Sequence, residues 1–157
     1  MDGQEKTKYI TWIRELPQQL RALVEGLDEE QLTTHFLEGE WNVAQNVHHL
    51  ADAHMNTFLR IKLTLTQDRP TISSFDQDLW AVTADAGGMP LETSLALLDG
   101  LQERWATLAE SLSDEQLARS SVSPLYGEAT ISDLIRGYSQ HGLNHLDQIR
   151  ETLAAQG

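Results

Sequence analysis

The sequence predicts an all-α fold, and three observations carry that expectation. Four long segments repeat apolar residues at three- and four-residue steps, no segment alternates with period two for long enough to suggest a sheet, and the four have similar lengths. Each is roughly 20–25 residues, or about 30–37 Å of helix at 1.5 Å per residue, which suits members of one bundle.

The first segment places Ile10, Ile13, Leu16, Leu20, Leu23 and Leu27 on one helical face. Pro17 lies inside it and is expected to kink it, because the ring removes an i→i−4 hydrogen bond. The second carries Val43, Val47, Leu50, Phe58, Ile61 and Leu65, with Asn42 as its N-cap after Trp41. The third is the most regular, running Leu91, Leu95, Leu98, Leu101, Trp105, Leu108 and Leu112, with Pro90 suited to its first turn. The fourth runs from about Thr130, with Asp133 three residues on as a capping-box variant, through Leu134, Tyr138 and Ile149 to about Ala155.

The connections are uneven: about 14, 24 and 17 residues, against roughly 2–8 for ordinary loops between bundle helices. The middle stretch, 67–90, is long enough to recross the bundle, so the second and third helices are expected to run parallel. Within it, Ser74 with Gln77 resembles a capping box and suggests a helical turn, with Phe75 and Trp80 as anchors. Leu27–Leu32 (LDEEQL) after the first helix echoes Leu112–Leu117 (LSDEQL) after the third. Either this is a common way to restart a helix, or the chain has two similar halves, each ending in a histidine-bearing helix.

The 157 residues fit one domain, 1–157, with room for a proper core. There are no cysteines, which excludes disulfides, zinc–thiolate sites, Fe–S clusters and a cysteine nucleophile. Twenty-four acidic side chains against 11 basic ones give a net charge of −13, so the chain repels phosphate backbones and nucleic acid is not an expected partner. The first residues have no apolar signal-like stretch and no run approaches membrane-spanning length, so no membrane association and a cytoplasmic location are expected.

Histidine is the unusual residue, at 35, 48, 49, 54, 141 and 145. His141 and His145 are four apart, so on a helix they stand one turn above the other and can point at a single ion. The stripe Leu134, Tyr138, His141, His145, Ile149 puts both on the buried face. Buried imidazoles need partners, either hydrogen-bonding side chains or one shared metal ion. A third ligand would come from the second helix, where His48, His49 and His54 compete. On a helical wheel His54 falls nearest the apolar stripe, while His48 and His49 flank it.

The segment Trp41–Asn56 (WNVAQNVHHLADAHMN), followed by Phe58–Thr66 and Pro70-Thr-Ile, resembles the DinB/YfiT-like superfamily. Tyr138-Ser-Gln-His141-Gly-Leu-Asn-His145-Leu-Asp-Gln-Ile149 is similar to that family's second histidine motif, and Leu95–Leu98 with Arg104-Trp105 also matches. The resemblance runs from about Trp12 to Ile149. It is nearest the YfiT branch, a group of bacillithiol-transferase-like proteins and metal-dependent hydrolases. It implies a four-helix bundle in up-down-down-up order, a homodimer, and a divalent metal held by three histidines. Carried over by position, these are His49, eight residues after Trp41, with His141 and His145, which sets aside the wheel's preference for His54.

Three imidazoles suit Zn²⁺, Ni²⁺ or a related ion and leave a coordination position open, as catalytic sites do. Helical spacing offers Asp52, Asn56 and Gln148 as residues to orient a ligand or a bound water. The leading expectation is transfer of a low-molecular-weight, bacillithiol-like thiol to an electrophile, the cation lowering the thiol pKa, with Arg60 or Arg69 meeting carboxylates of the thiol. The alternative is metal-dependent hydrolysis by an activated water, with Asp52 or His48 as base. A second alternative is a non-catalytic, metal-stabilised stress protein.

Overall fold

In the computed structural model the residues described are 1–156; Gly157, the last residue of the expected 1–157 domain, lies outside them. Four long helices dominate: α1 (Gly3–Val24), α3 (Val43–Thr66), α6 (Leu91–Ser111) and α8 (Ile131–Ala154). Short helices α2 (Glu29–Thr33), α4 (Gln77–Trp80), α5 (Ala84–Gly88) and α7 (Asp114–Leu117) decorate the connections. The helix α1 continues past the buried Pro17 as one element.

Local chemistry sets most boundaries. Asn42 caps α3 by accepting from the Gln45 N–H, and Gln45 returns a bond to the cap backbone. Thr130 and Asp133 form the corresponding box at α8. The echoed sequences become equivalent structures, since Asp28 with Gln31 caps α2 and Ser113 with Gln116 caps α7. Pro90 stands at the N-cap of α6 itself, where its lack of an N–H has no consequence.

Residue pairs between helices fix their directions. Lys6 reaches the Leu112 carbonyl, Arg14 pairs with Glu103 and Glu110, and Arg21 pairs with Glu92 and Asp99, so α1 and α6 are antiparallel. His48 bonds Ser94 and Gln102 bonds His54, so α3 and α6 run parallel. Asn46 bonds His145 while His54 meets Tyr138, so α3 and α8 are antiparallel. Arg136 lies near Glu5 and Gly142 lies against Leu16, making α1 and α8 parallel. The order is up-down-down-up, as expected, and the long 67–90 crossover makes the parallel middle pair possible. The exposed ion pairs between α1 and α6 are each worth only about 0–1 kcal/mol, so the apolar core carries the fold.

That core has two halves. One is built around Ile13, Ile61, Trp105 and Ile135, the other around Leu20, Val47, Leu50, Leu98 and Ile149. On α3, α6 and α8 the residues between these halves include buried polar groups: His54 and Thr57, Gln102, and Ser139 and His145. A polar layer therefore crosses the waist of the bundle, and it positions the site.

Two expectations are corrected. A short antiparallel hairpin is present, β1 (Ser120–Ser123) with β2 (Gly127–Thr130), in register Ser120↔Thr130 to Ser123↔Gly127. Its inward residues are Ser121 and Ser123, so it shows no apolar alternation, and each strand has only four residues. The hairpin pins the crossover: Ile72 N–H donates to the Val122 carbonyl and Val122 N–H to the Pro70 carbonyl, both at 2.9 Å. The helical turn expected near Ser74 exists as α4, but Asp76 caps it, accepting from Asp78 and Leu79 N–H at 3.0 Å. Ser74 instead shares a 2.9 Å hydrogen bond with Ser123. Phe75 and Trp80 do pack together, with centroids 4.4 Å apart.

Candidate metal centre

Helix α3 presents His49 and the antiparallel α8 presents His141 and His145, and the three rings converge. His141 Nε2 lies 3.2 Å from His49 Nε2 and 3.1 Å from His145 Nε2. The four-residue spacing on α8 stacks its two rings one turn apart, with centroids 4.4 Å apart. Gly142 between them lets α8 approach α1, since a Cβ there would lie 3.0 Å from Leu16 Cδ2.

The rings are held from behind. Asn46 Oδ1 lies 2.8 Å from His145 Nδ1, so that nitrogen is the N–H and Nε2 is left as a lone pair. Trp41 packs edge-on to His49 with centroids 4.7 Å apart and stacks on His145 at 6.2 Å. Burial, with His145 and His54 nearby, pulls His49 down to about 3. Burial and the other three rings pull His141 down to about 2. Burial lowers His145 to about 4 against an opposing push from the Gln148 side chain. All three are therefore neutral at physiological pH.

The arrangement suits a shared cation. The Nε2 of His141 is within hydrogen-bond distance of both other Nε2 atoms, yet His145 has no proton on Nε2 and His141 could donate to only one neighbour. The three donor atoms lie close enough together to hold one ion.

The other histidines lie outside the cluster. His54 is fully buried, with Gln102 Nε2 donating to its Nδ1 at 2.9 Å and burial lowering it to about 4. Its affinity for the apolar stripe is thus explained by the polar waist layer. His54 Nε2, Gln102 Oε1, Trp105 Nε1 and His141 Nδ1 are buried polar atoms without a protein partner among the described residues. His48 Nδ1 meets Ser94 Oγ at 2.7 Å and its Nε2 the Met89 carbonyl at 3.1 Å, tying α3 to the end of the crossover. His35 is exposed and bonds the Glu40 carbonyl.

A cavity of about 610 Å³ opens beside His49 and His141, walled by Asn56, Arg60, Phe75 and Tyr138 among others. A smaller cleft of about 190 Å³ reaches His145 from the other side, past Trp41 and Gln148. Asn56 is thus at the cavity wall, where its amide donates to the Asp52 carbonyl at 3.0 Å. Asp52 makes no hydrogen bond to the three rings among the described residues, and burial raises its carboxyl pKa, with Asp85 adding to the effect. Gln148 is exposed beside His145. Arg60 faces the cavity, whereas Arg69 is committed to an exposed two-pronged ion pair with Glu128 at 2.9 and 3.0 Å. Asn46 and Trp41 were not assigned roles by sequence reading. Asn46 did carry a signal, since it lies one turn before His49 on the same helix.

Four long helices in up-down-down-up order with three imidazoles meeting at the waist define a three-histidine helical bundle. The family model of the DinB superfamily matches residues 13–149, and the chain belongs to that superfamily. A Geobacillus thermodenitrificans protein named "Putative metal-dependent hydrolase" is 46% identical over 154 residues, covering 94% of this chain and 83% of the relative. A similarly named protein from Geobacillus kaustophilus is 48% identical over 147 residues, covering 92% and 82%. The solved structure of YfiT from Bacillus subtilis, described as "a probable metal-dependent hydrolase with an unusual four-helix bundle topology", matches with a TM-score of 0.93 at 35% identity. It covers 97% of this chain and 87% of that one. No helix among the described residues is long and apolar enough to cross a membrane.

Proposed function

We propose that the chain is a metal-dependent enzyme in which His49, His141 and His145 hold one divalent ion, Zn²⁺ or Ni²⁺, and that it transfers a bacillithiol-like thiol to an electrophile. The observation that carries this reading is the meeting of three neutral Nε2 donors at the edge of an open cavity. When bound, the ion supplies Lewis acidity that lowers the pKa of a thiol or a water presented to it.

The chain's own residues do the rest. Asn46 fixes the His145 tautomer so that its Nε2 lone pair faces the centre. Trp41 packs against His49 and His145 and limits their rotation. Phe75 and Tyr138 wall the cavity that would hold the reactants and shield them from solvent. In the reaction the thiol proton passes to solvent water, the resulting thiolate sulfur bonds the electrophilic carbon, and the leaving group departs with the bonding pair.

Hydrolysis is the second reading, favoured by the descriptions of the relatives. It asks for a general base at the cavity, and the two groups considered for that role are otherwise placed. His48 is held by Ser94 and the Met89 carbonyl, and Asp52 is absent from the cavity wall. The carboxylates that do line the cavity are Asp76, which caps α4, and Asp78, so a side-chain proton acceptor for either reading would come from there. A homodimer, a cytoplasmic location and the absence of nucleic-acid and membrane partners belong to the same proposal. The remaining alternative, a stress protein without turnover, would bind the ion but leave every substrate unchanged.

Elemental analysis after loading with Zn²⁺ or Ni²⁺ is expected to give about one ion per chain. His49→Ala, His141→Ala and His145→Ala should lose most of it and His35→Ala should keep it. A parent protein that takes up no ion overturns both enzymatic readings. Turnover of a chromogenic electrophile that requires added thiol, beside an ester and amide panel, separates transfer from hydrolysis.

A further inference from the structure

Arg60 stands apart from the other arginines. Arg14, Arg21, Arg69, Arg136 and Arg150 each lie against a carboxylate, Arg119 donates to the Thr64 and Gln67 carbonyls, and Arg104, over the Phe58 ring, is exposed to solvent. Arg60 is half-buried, its Nε donates to Ser121 Oγ at 3.0 Å, and its Nη2 is buried with no partner among the described residues. A chain with 24 acidic side chains has ample means to neutralise it and does not. A partly desolvated guanidinium without a counter-ion is costly unless something else supplies the charge. Burial indeed lowers its pKa, with the neighbouring Tyr138 acting the other way.

The cavity that Arg60 faces is the one that His49 and His141 reach. On α3, Arg60 follows His49 by three turns, about 16 Å of helix rise, so the two sit toward opposite ends of the same wall. Ile72, Phe75, Leu125 and Tyr138 add apolar surface to the same cavity lining. Asp76 and Asp78 also border the cavity and disfavour a dianion.

We propose that Arg60 is the anchor of a carboxylate subsite, so that the substrate is an acid whose apolar body lies along the cavity and whose reactive atom meets the three histidines. The placement of the reactive atom rests on the function proposed above; the anion subsite itself stands on Arg60 and the cavity. A planar carboxylate can accept from the guanidinium fork in a two-pronged geometry, with Ser121 holding the fork in place.

The test compares 3-phenylpropanoate with 3-phenylpropanamide by calorimetric titration of the full-length protein after metal removal, so that neither probe can bind through an ion. The acid is expected to bind about tenfold more tightly than the amide. In Arg60→Gln and in Arg60→Met that advantage should vanish, while zinc content on reloading stays at the parent level. Equal binding of acid and amide, no saturable binding of the acid, or an advantage that survives both substitutions overturns the proposal. Tighter binding of 2-phenylethyl phosphate than of the acid overturns the carboxylate assignment. If the parent protein takes up no zinc, the metal reading fails alone, because the acid–amide comparison does not use the ion.

Discussion

Asn46 is the residue on which the geometry of the three rings most visibly depends. By accepting from His145 Nδ1–H at 2.8 Å it commits one ligand nitrogen to the centre, and the exposed Gln148 side chain also acts on that ring. Loss of such a partner typically weakens metal affinity by about 10–100-fold. Asn46→Ala is therefore expected to bind Zn²⁺ more weakly by that factor in a chelator competition, with helical content unchanged by circular dichroism. Unaltered affinity would show that Trp41 and Gln148 orient the ring without Asn46. At this scale the sequence was half legible. The i,i+4 histidines of α8 were readable as a pair, but the wheel pointed to His54 in place of His49. A buried polar layer explains why: His54 does face inward, and it is satisfied there by Gln102 from a helix more than 40 positions away.

Helix α8 has to serve two neighbours at once. One face carries His141 and His145 toward α3, and Gly142 between them lies against Leu16 of α1. A glycine inside a helix costs roughly 1 kcal/mol relative to alanine, so its presence here is explained by the close approach rather than by propensity. Gly142→Val should destabilise the protein by about 1–3 kcal/mol, read as a lower urea midpoint, because the branched side chain must displace Leu16. A midpoint equal to the parent's would mean that α1 yields freely. Element starts were well read from sequence, because a cap is a local contract between residues three apart, as at Asn42 with Gln45 and Thr130 with Asp133. The hairpin escaped because its buried residues are Ser121 and Ser123, whose inward placement depends on Arg60 and Ser74 across the fold.

At the scale of the molecule, four neutral histidines in one buried layer couple stability to acidity. His49, His54, His141 and His145 all have folded pKa values of about 4 or below, against 6.5 for a free imidazole. Between those values the unfolded chain binds protons that the folded chain refuses, so stability falls as the pH falls. The metal-free protein should hold full stability above about pH 6.5 and lose it progressively toward pH 4. Urea midpoints at pH 7.5 and pH 5 check this, and equal midpoints would contradict burial of the neutral rings. Bound metal should shift the loss to lower pH, since ion and proton compete for the same nitrogens.

The sequence by itself determined the four long helices, the caps of α3 and α8, the long crossover and the presence of histidines on two inward faces, because each follows from periodicity or from residues within a turn of one another. Only the tertiary structure brings His49, His141 and His145, the set implied by the family resemblance, within reach of one another, and only it decided that His54 belongs to Gln102, that Arg69 is spent on Glu128 while Arg60 is left facing a cavity, and that serines can line the buried side of a hairpin. Those outcomes depend on how far apart in space the helices bring residues 40 to 100 positions distant, and no local pattern encodes that separation.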